Sequence, residues 1–411
     1  MTQWQWFVRR ILRLIWFRAA LISLLSIALA LVSAWLAPLM PYDLSIKVGA
    51  QAADNILTIL ASSMLAVTTF SMAAMVSAFN GAASNISPRA VQLLIEDKTA
   101  QNALSTFLGG FLFGTVGIVA LSTGFYGAEG RAILLFGTIA MILLIVATLL
   151  GWIQQLTAFG RMSDAIDRVE QAAITAIGRY PGPILLTGKP RRDIPSNGHP
   201  VRADCTGNIT YYDCAEIEEL CEAQQAHFQA LSGPGDFVDA RSALGWTDRP
   251  LSSEARAKIA DAFSIGPHRD FVHDPRFGAV VLAEIASRAL SPAVNDPGSA
   301  IGVLGAGQRM LEALLKHHEE ASGDEAKGAP LSFEEMVEDL ILPIARDGAA
   351  MFEVGIRLQS MLGSLARLSP ASQQKLTAIA QDALERAREA KMADLDLHRI
   401  EASHRRSFAE N

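Results

Sequence analysis

Cysteine is scarce. The 411 residues hold three, Cys205, Cys214 and Cys221, an odd number confined to the second half of the chain. So few argue against the disulfide framework of a secreted scaffold and fit a reducing compartment. Their spacing is no zinc signature, and His199 and His227 lie too loosely to complete one. They are therefore read as structural, with a metal as the alternative. A basic excess is also missing: formal net charge is −7 and the pI is near 5.7. Without a basic patch or a nucleic-acid motif, no nucleic-acid partner is expected. There is no P-loop, no His-Glu-x-x-His, no Gly-x-Ser-x-Gly and no dinucleotide fingerprint, so no catalytic residue, metal or cofactor is assigned.

The most informative absence is of charge between Asp54 and Arg89. That stretch is apolar but sown with Ser, Thr, Ala and Asn. At ~100° per residue, Asn55, Thr58, Ser62, Ala66, Thr69, Ala73, Ser77 and Asn80 fall on one stripe. Hydrocarbon offers hydroxyls and amides no partner, so the stripe is expected to face other helices, another subunit or water. It is a pore lining or a packing seam.

Half of the residues are apolar, and they crowd into the first 160 positions. Four spans are expected, about 19–42, 54–80, 104–126 and 132–153. A basic aromatic leader with Trp4, Trp6, Arg9, Arg10, Arg13 and Trp16 precedes the first. It reads as a retained anchor, since its apolar run exceeds the core of a cleaved signal peptide. Ser87-Pro88-Arg89 reads as a helix start, and Gly110-x-x-x-Gly114 as a site of close helix contact. Arginine and lysine crowd before span one, between spans two and three and after span four, which places both termini in the cytoplasm.

Beyond residue 160 the reading is a helical stalk and linker (161–200), a small β-rich module (201–250), a helical region (251–320) and a C-terminal helical region (331–402), with His404, Arg405 and Arg406 frayed. The fold class is mainly α: a four-helix transmembrane domain followed by an α+β cytoplasmic domain. In the β module, strand Gly207–Tyr212, a capping box at Asp213 and Glu216, and the Pro234-Gly235-Asp236 turn resemble the barrel-sandwich fold of biotinyl and lipoyl carriers. No lysine lies between Lys189 and Lys258 to carry such a group, so the module reads as a docking or assembly piece.

In Arg288-Ala289-Leu290-Ser291-Pro292-Ala293-Val294-Asn295-Asp296-Pro297 one helix is expected to end near Leu290 and another to start at Pro297, capped by Asp296. Glu284 and Arg288, one turn apart, are placed to pair. One reading is a rigid corner with polar caps. The other is a cleft where His268, Arg269, Asp270, His273, Asp274, Glu284, Arg288, Asn295 and Asp296 converge on a small ligand.

The four spans, Ser87-Pro88-Arg89, Pro234-Gly235-Asp236-Phe237-Val238, Asp274-x-x-Phe277-Gly278 and the Arg288–Pro297 run together resemble the DUF2254 family of bacterial predicted membrane proteins. Ala293-Val294 and Gly298-Ser299-Ala300 depart mildly from its pattern. The resemblance implies an integral inner-membrane protein with a cytoplasmic C-terminal domain and no established activity. Two functions follow as expectations: a homo-oligomeric channel or transporter-like protein with span two lining the axis, or a membrane-anchored sensor or scaffold whose cytoplasmic domain binds a ligand or partner protein.

Overall fold

A computed structural model describes residues 20–25, 27–28, 50–95, 97–123, 128–158, 161–190, 193–320 and 328–409. The chain divides into two compact units: the described residues of 2–84 and 91–161, and a larger unit made of 85–90 with 162–409.

In the first unit, α1 (Ala50–Asn85), α2 (Val91–Ile95), α3 (Lys98–Ser122) and α4 (Ala128–Ala158) carry almost no charge. Three stretches, Asp54–Ser84, Val91–Ser122 and Ile133–Thr157, are long and apolar enough to cross a membrane. The expected first span lies largely outside the described residues; of it, residues 20–25 and 27–28 are helical. At 36 residues, α1 is ~54 Å long, well beyond the ~30 Å of bilayer hydrocarbon.

Leu57, Phe107, Phe113, Leu134 and Trp152 fill the core of this unit. Gly114 lets α3 approach α1 closely, since a Cβ there would sit 3.2 Å from the Leu57 carbonyl oxygen. That is the small-residue contact expected of the Gly-x-x-x-Gly run. Trp152, near the end of the expected fourth span, is buried, and its indole N–H donates to Ser71 Oγ at 3.1 Å. The long helix after the 85–90 link starts at Lys98, capped by Asp97, whose Oδ1 accepts from Thr99 and Ala100 N–H.

The larger unit opens with α5 (Met162–Ile177), whose Ala165, Ile166, Val169, Ala173 and Ala176 are buried. It is no free stalk. It packs against α8 (Pro275–Ala289) and α9 (Pro297–Glu320), and Ala173 sits where a Cβ on Gly278 would fall. A burial face of this width gives one side of an amphipathic helix a core to join. Next come α10 (Phe333–Asp347), which packs on α8, and α11 (Phe352–Leu368), which packs on α9. After them α12 (Gln373–Glu389) and α13 (Asp394–Phe408) flank α11. The C-terminus is therefore not frayed at 404–406: Ser403 Oγ donates to the Ile356 carbonyl, and Gly363 leaves room for Ser407.

The β part comprises β1 (Ile184–Leu185), β2 (His199–Arg202), β3 (Gly207–Tyr212), β4 (Phe228–Ala230), β5 (Phe237–Val238), β6 (Ala243–Thr247), β7 (Phe263–Gly266) and β8 (Leu331–Ser332). Helices α6 (Cys214–Glu222) and α7 (Ser253–Asp261) are set among these strands, capped by Asp213 and Ser252. Pairing orders are β2-β6-β4 and β5-β3-β7, with β1 parallel to β8. Strands of two to six residues in separate ladders close no barrel, and Phe263, expected in a helix, heads β7 instead. Ile209, Leu244 and Ile259 form the core between these sheets and helices.

Candidate functional site

Helix α8 carries two of the nine residues singled out by sequence, Glu284 and Arg288; five precede it and two follow it. Asp274 caps its start: the buried carboxylate accepts from Phe277 N–H at 3.0 Å and takes Arg269 bidentately at 2.7 and 3.0 Å. The Arg269 guanidinium lies 5.2 Å over the Phe277 ring. Gly235, at φ +94°, lets the 233–236 turn lie against this pair; a Cβ would fall 2.5 Å from Asp274 Oδ2. No L side chain adopts that backbone easily, and none fits the space. Burial pushes the Asp274 carboxyl above its ordinary range, and the Arg269 guanidinium pulls against it. Such a carboxylate serves as a helix cap and an ion-pair partner.

The neighbours of Asp274 are likewise engaged. Asp270 Oδ1 accepts from Val272 N–H at 2.8 Å, and His273 lies against Tyr211 with ring centroids 4.8 Å apart. His268 is exposed. Fifteen residues of helix, ~22 Å, separate this group from the corner. There Arg288 and Asn295 are exposed, Asn295 adopts φ +51°, and Asp296 accepts from Ser299 N–H at 3.1 Å and Ser299 Oγ at 2.6 Å. Those Ser299 bonds hold the Asp296 carboxyl below its usual range. Eight of the nine residues thus lie at the two ends of α8, five before it and three at or beyond its end. Glu284, between the ends, pairs with Arg89 and accepts from Ser87 Oγ at 3.1 Å.

Sequence reading missed three features. Arg276 bridges α8 to α10, binding Asp339 Oδ2 at 2.6 Å and Glu335 Oε2 at 2.9 Å. Tyr180 and Tyr212 clamp Ala329, one hydroxyl donating to its carbonyl at 2.9 Å and the other accepting its N–H at 2.8 Å. A recess of about 240 Å³ opens beside α6, lined by Tyr212, Cys214, Glu218, Cys221, Glu222 and Phe228 among others. The i, i+7 spacing of Cys214 and Cys221 was its one signal in the sequence. Burial pushes the Cys214 thiol up to about 11 and raises Cys221, so both stay protonated and weakly nucleophilic at neutral pH. Two turns of helix separate them, too far for a disulfide. Among the described residues no group of three or more His, Cys, Asp or Glu is placed to hold a metal ion.

In the membrane unit, all eight stripe positions, Asn55, Thr58, Ser62, Ala66, Thr69, Ala73, Ser77 and Asn80, are exposed. The helix buries its other side, Leu57, Leu60, Ala61, Met64, Ser71 and Met75. Ser62 and Thr69 return their hydroxyls to the Thr58 and Leu65 carbonyls at 2.8 and 2.9 Å.

A family described as "Predicted membrane protein (DUF2254)" matches residues 13–364. The chain belongs to the DUF2254 family. Similar proteins include the uncharacterised Mb1321c of Mycobacterium bovis and Rv1290c of Mycobacterium tuberculosis, each 25 % identical over 262 residues. The matched region is 61 % of this DUF2254 chain and 50 % of each relative, so the chain spans about half the length of those curated relatives. No solved structure matches it. Family and apolar helices together make this DUF2254 protein a membrane protein, and the names of its relatives carry no activity.

Proposed function

We propose that this DUF2254 protein is a homo-oligomeric channel or transporter-like protein of the bacterial inner membrane, with α1 lining the axis and the larger unit acting as its cytoplasmic regulator. The supporting observation is the direction of the α1 stripe. Eight small or polar positions point away from the face that packs on the helix's own neighbours. A seam used within the described part of the unit would be buried. A stripe of small hydroxyl side chains without charge suits passage of ions or water better than proton coupling, for which buried Asp, Glu or His is usual.

The test is single-channel current from purified protein in a planar bilayer, in KCl and NaCl, with Thr69→Leu beside the wild type. Discrete openings abolished by Thr69→Leu sustain the reading. Openings that persist unchanged in the variant remove α1 from the conducting path.

One observation favours a second reading, a membrane-anchored sensor or scaffold. Ser62 and Thr69 satisfy their hydroxyls on their own helix, so part of the stripe tolerates lipid without a subunit partner. On that reading the wild type conducts nothing, and the larger unit retains a ligand or partner.

A further inference from the structure

At the junction of α1 and α2 only five residues, 86–90, separate the two helices, and with the last residue of α1 they form a six-residue segment, 85–90, that belongs to the larger unit. Ile86, Ser87 and Ala90 are each 2 % exposed. The contact that orients this link closes over 197 positions: Glu284 Oε2 accepts from Ser87 Oγ at 3.1 Å, and Oε1 faces the Arg89 guanidinium. Ser87 Oγ in turn accepts from Arg89 N–H at 3.2 Å, folding the link into a turn around the carboxylate.

We propose that Glu284 is a clasp through which α8 holds the 85–90 link in one conformation. On the regulated-channel reading above, that clasp biases the membrane helices on either side of the link. A single carboxylate on α8 suffices because both of its oxygens are used on one six-residue segment. Ile86 and Ala90 anchor the link by burial, and the carboxylate fixes its turn. Glu284 is thus a positioning residue, acting through Ser87 and Arg89.

The experiment is hydrogen–deuterium exchange of the full chain in nanodiscs, read on peptides covering 85–95 and, as a folding control, 275–283. Glu284→Gln keeps an acceptor for Ser87 and loses the Arg89 ion pair. Glu284→Ala loses both. Exchange in 85–95 is expected to rise about fivefold in the alanine variant and less in the glutamine variant, with the control peptide unchanged. The double reversal Arg89→Glu with Glu284→Arg is expected to restore slow exchange where either single reversal does not. Arg309→Gln, which breaks an unrelated ion pair of the same unit with Glu170, is expected to leave 85–95 as it was.

Unchanged exchange in Glu284→Ala, or failure of the double reversal to recover, overturns the clasp. Bilayer currents on the same preparations separate it from the function proposed above. A silent wild type with faster exchange in Glu284→Ala removes the channel and upholds the clasp. A conducting wild type whose open probability is the same in Glu284→Ala overturns the bias attributed to it.

Discussion

At the scale of single residues, local signals were readable and distant partners were not. Asp213 and Asp296 cap helices as their neighbours' residue types predict, because a cap depends on three or four adjacent positions, and Ser252 and Asp274 cap helices in the same way. The partner of Asp274's carboxylate was legible only as a nearby Arg269, and the partners of Glu284 not at all, being 197 positions away. Removing Asp274 is expected to be among the most damaging changes in the larger unit. Asp274→Ala deletes a cap and strands the Arg269 guanidinium, a loss of ~3–5 kcal/mol for one half of a buried ion pair. Asp274→Asn keeps the cap and is expected to lose less. Because the harm comes from the unpaired charge, Arg269→Leu combined with Asp274→Asn should cost less than the sum of the single changes. Urea unfolding followed at Trp246 measures all three, and strict additivity would contradict the pairing.

At the scale of elements, helix existence was legible from apolar periodicity, whereas docking was not. Helix α5 shows the same pattern whether it is a stalk or a core helix; only Gly278 on α8, accepting Ala173, settles which. His404, Arg405 and Arg406, expected to fray, belong to α13, whose buried set is small, Ile400 and Ser403. What holds it is polar. Gln359 donates through Nε2 to the Ala380 carbonyl at 2.8 Å, so its Oε1 accepts, and His404 Nδ1 at 2.9 Å must be the donor.

That bond survives protonation of His404, but the site resists the charge. Burial, then Arg388 and Arg405, lower its pKa below 6.5. The unfolded chain therefore binds the proton more readily than the folded one, and stability is lost as pH falls through 6.5 toward the folded value. Hydrogen exchange of α13 is expected to accelerate between pH 7.5 and 5.5. In His404→Asn, which donates without titrating, that acceleration should shrink; an equal acceleration in the variant would place the sensitive group elsewhere.

At the scale of the whole molecule, the sequence shows where the apolar half ends but not where the units divide. The 85–90 link falls among membrane helices in the chain and clusters with the larger unit in space, an assignment that only long-range contacts make. The two units also rest on different physics. Helices α1, α3 and α4 satisfy their backbone groups internally, and detergent supplies the apolar surroundings they would lose on unfolding. The larger unit depends on burial of Phe333, Ile344, Leu362 and similar side chains away from water, the contribution that urea weakens.

Urea in detergent micelles is therefore expected to unfold the chain in two steps, the larger unit first, and a single unfolding free energy would not describe it. Tryptophan reports each step: Trp246 lies in β6 of the larger unit, and Trp152 is buried in the membrane unit against Ser71. In variants retaining one of these two tryptophans and Phe at the other five positions, the Trp246 transition should come at lower urea than the Trp152 transition. Ser71→Ala should shift only the latter, by ~0.6 kcal/mol or somewhat more, for an indole N–H left without its partner. Coincident midpoints for the two reporters would mean that the units unfold as one cooperative body, with the 85–90 link and its hold on Glu284 as the first place to seek the coupling.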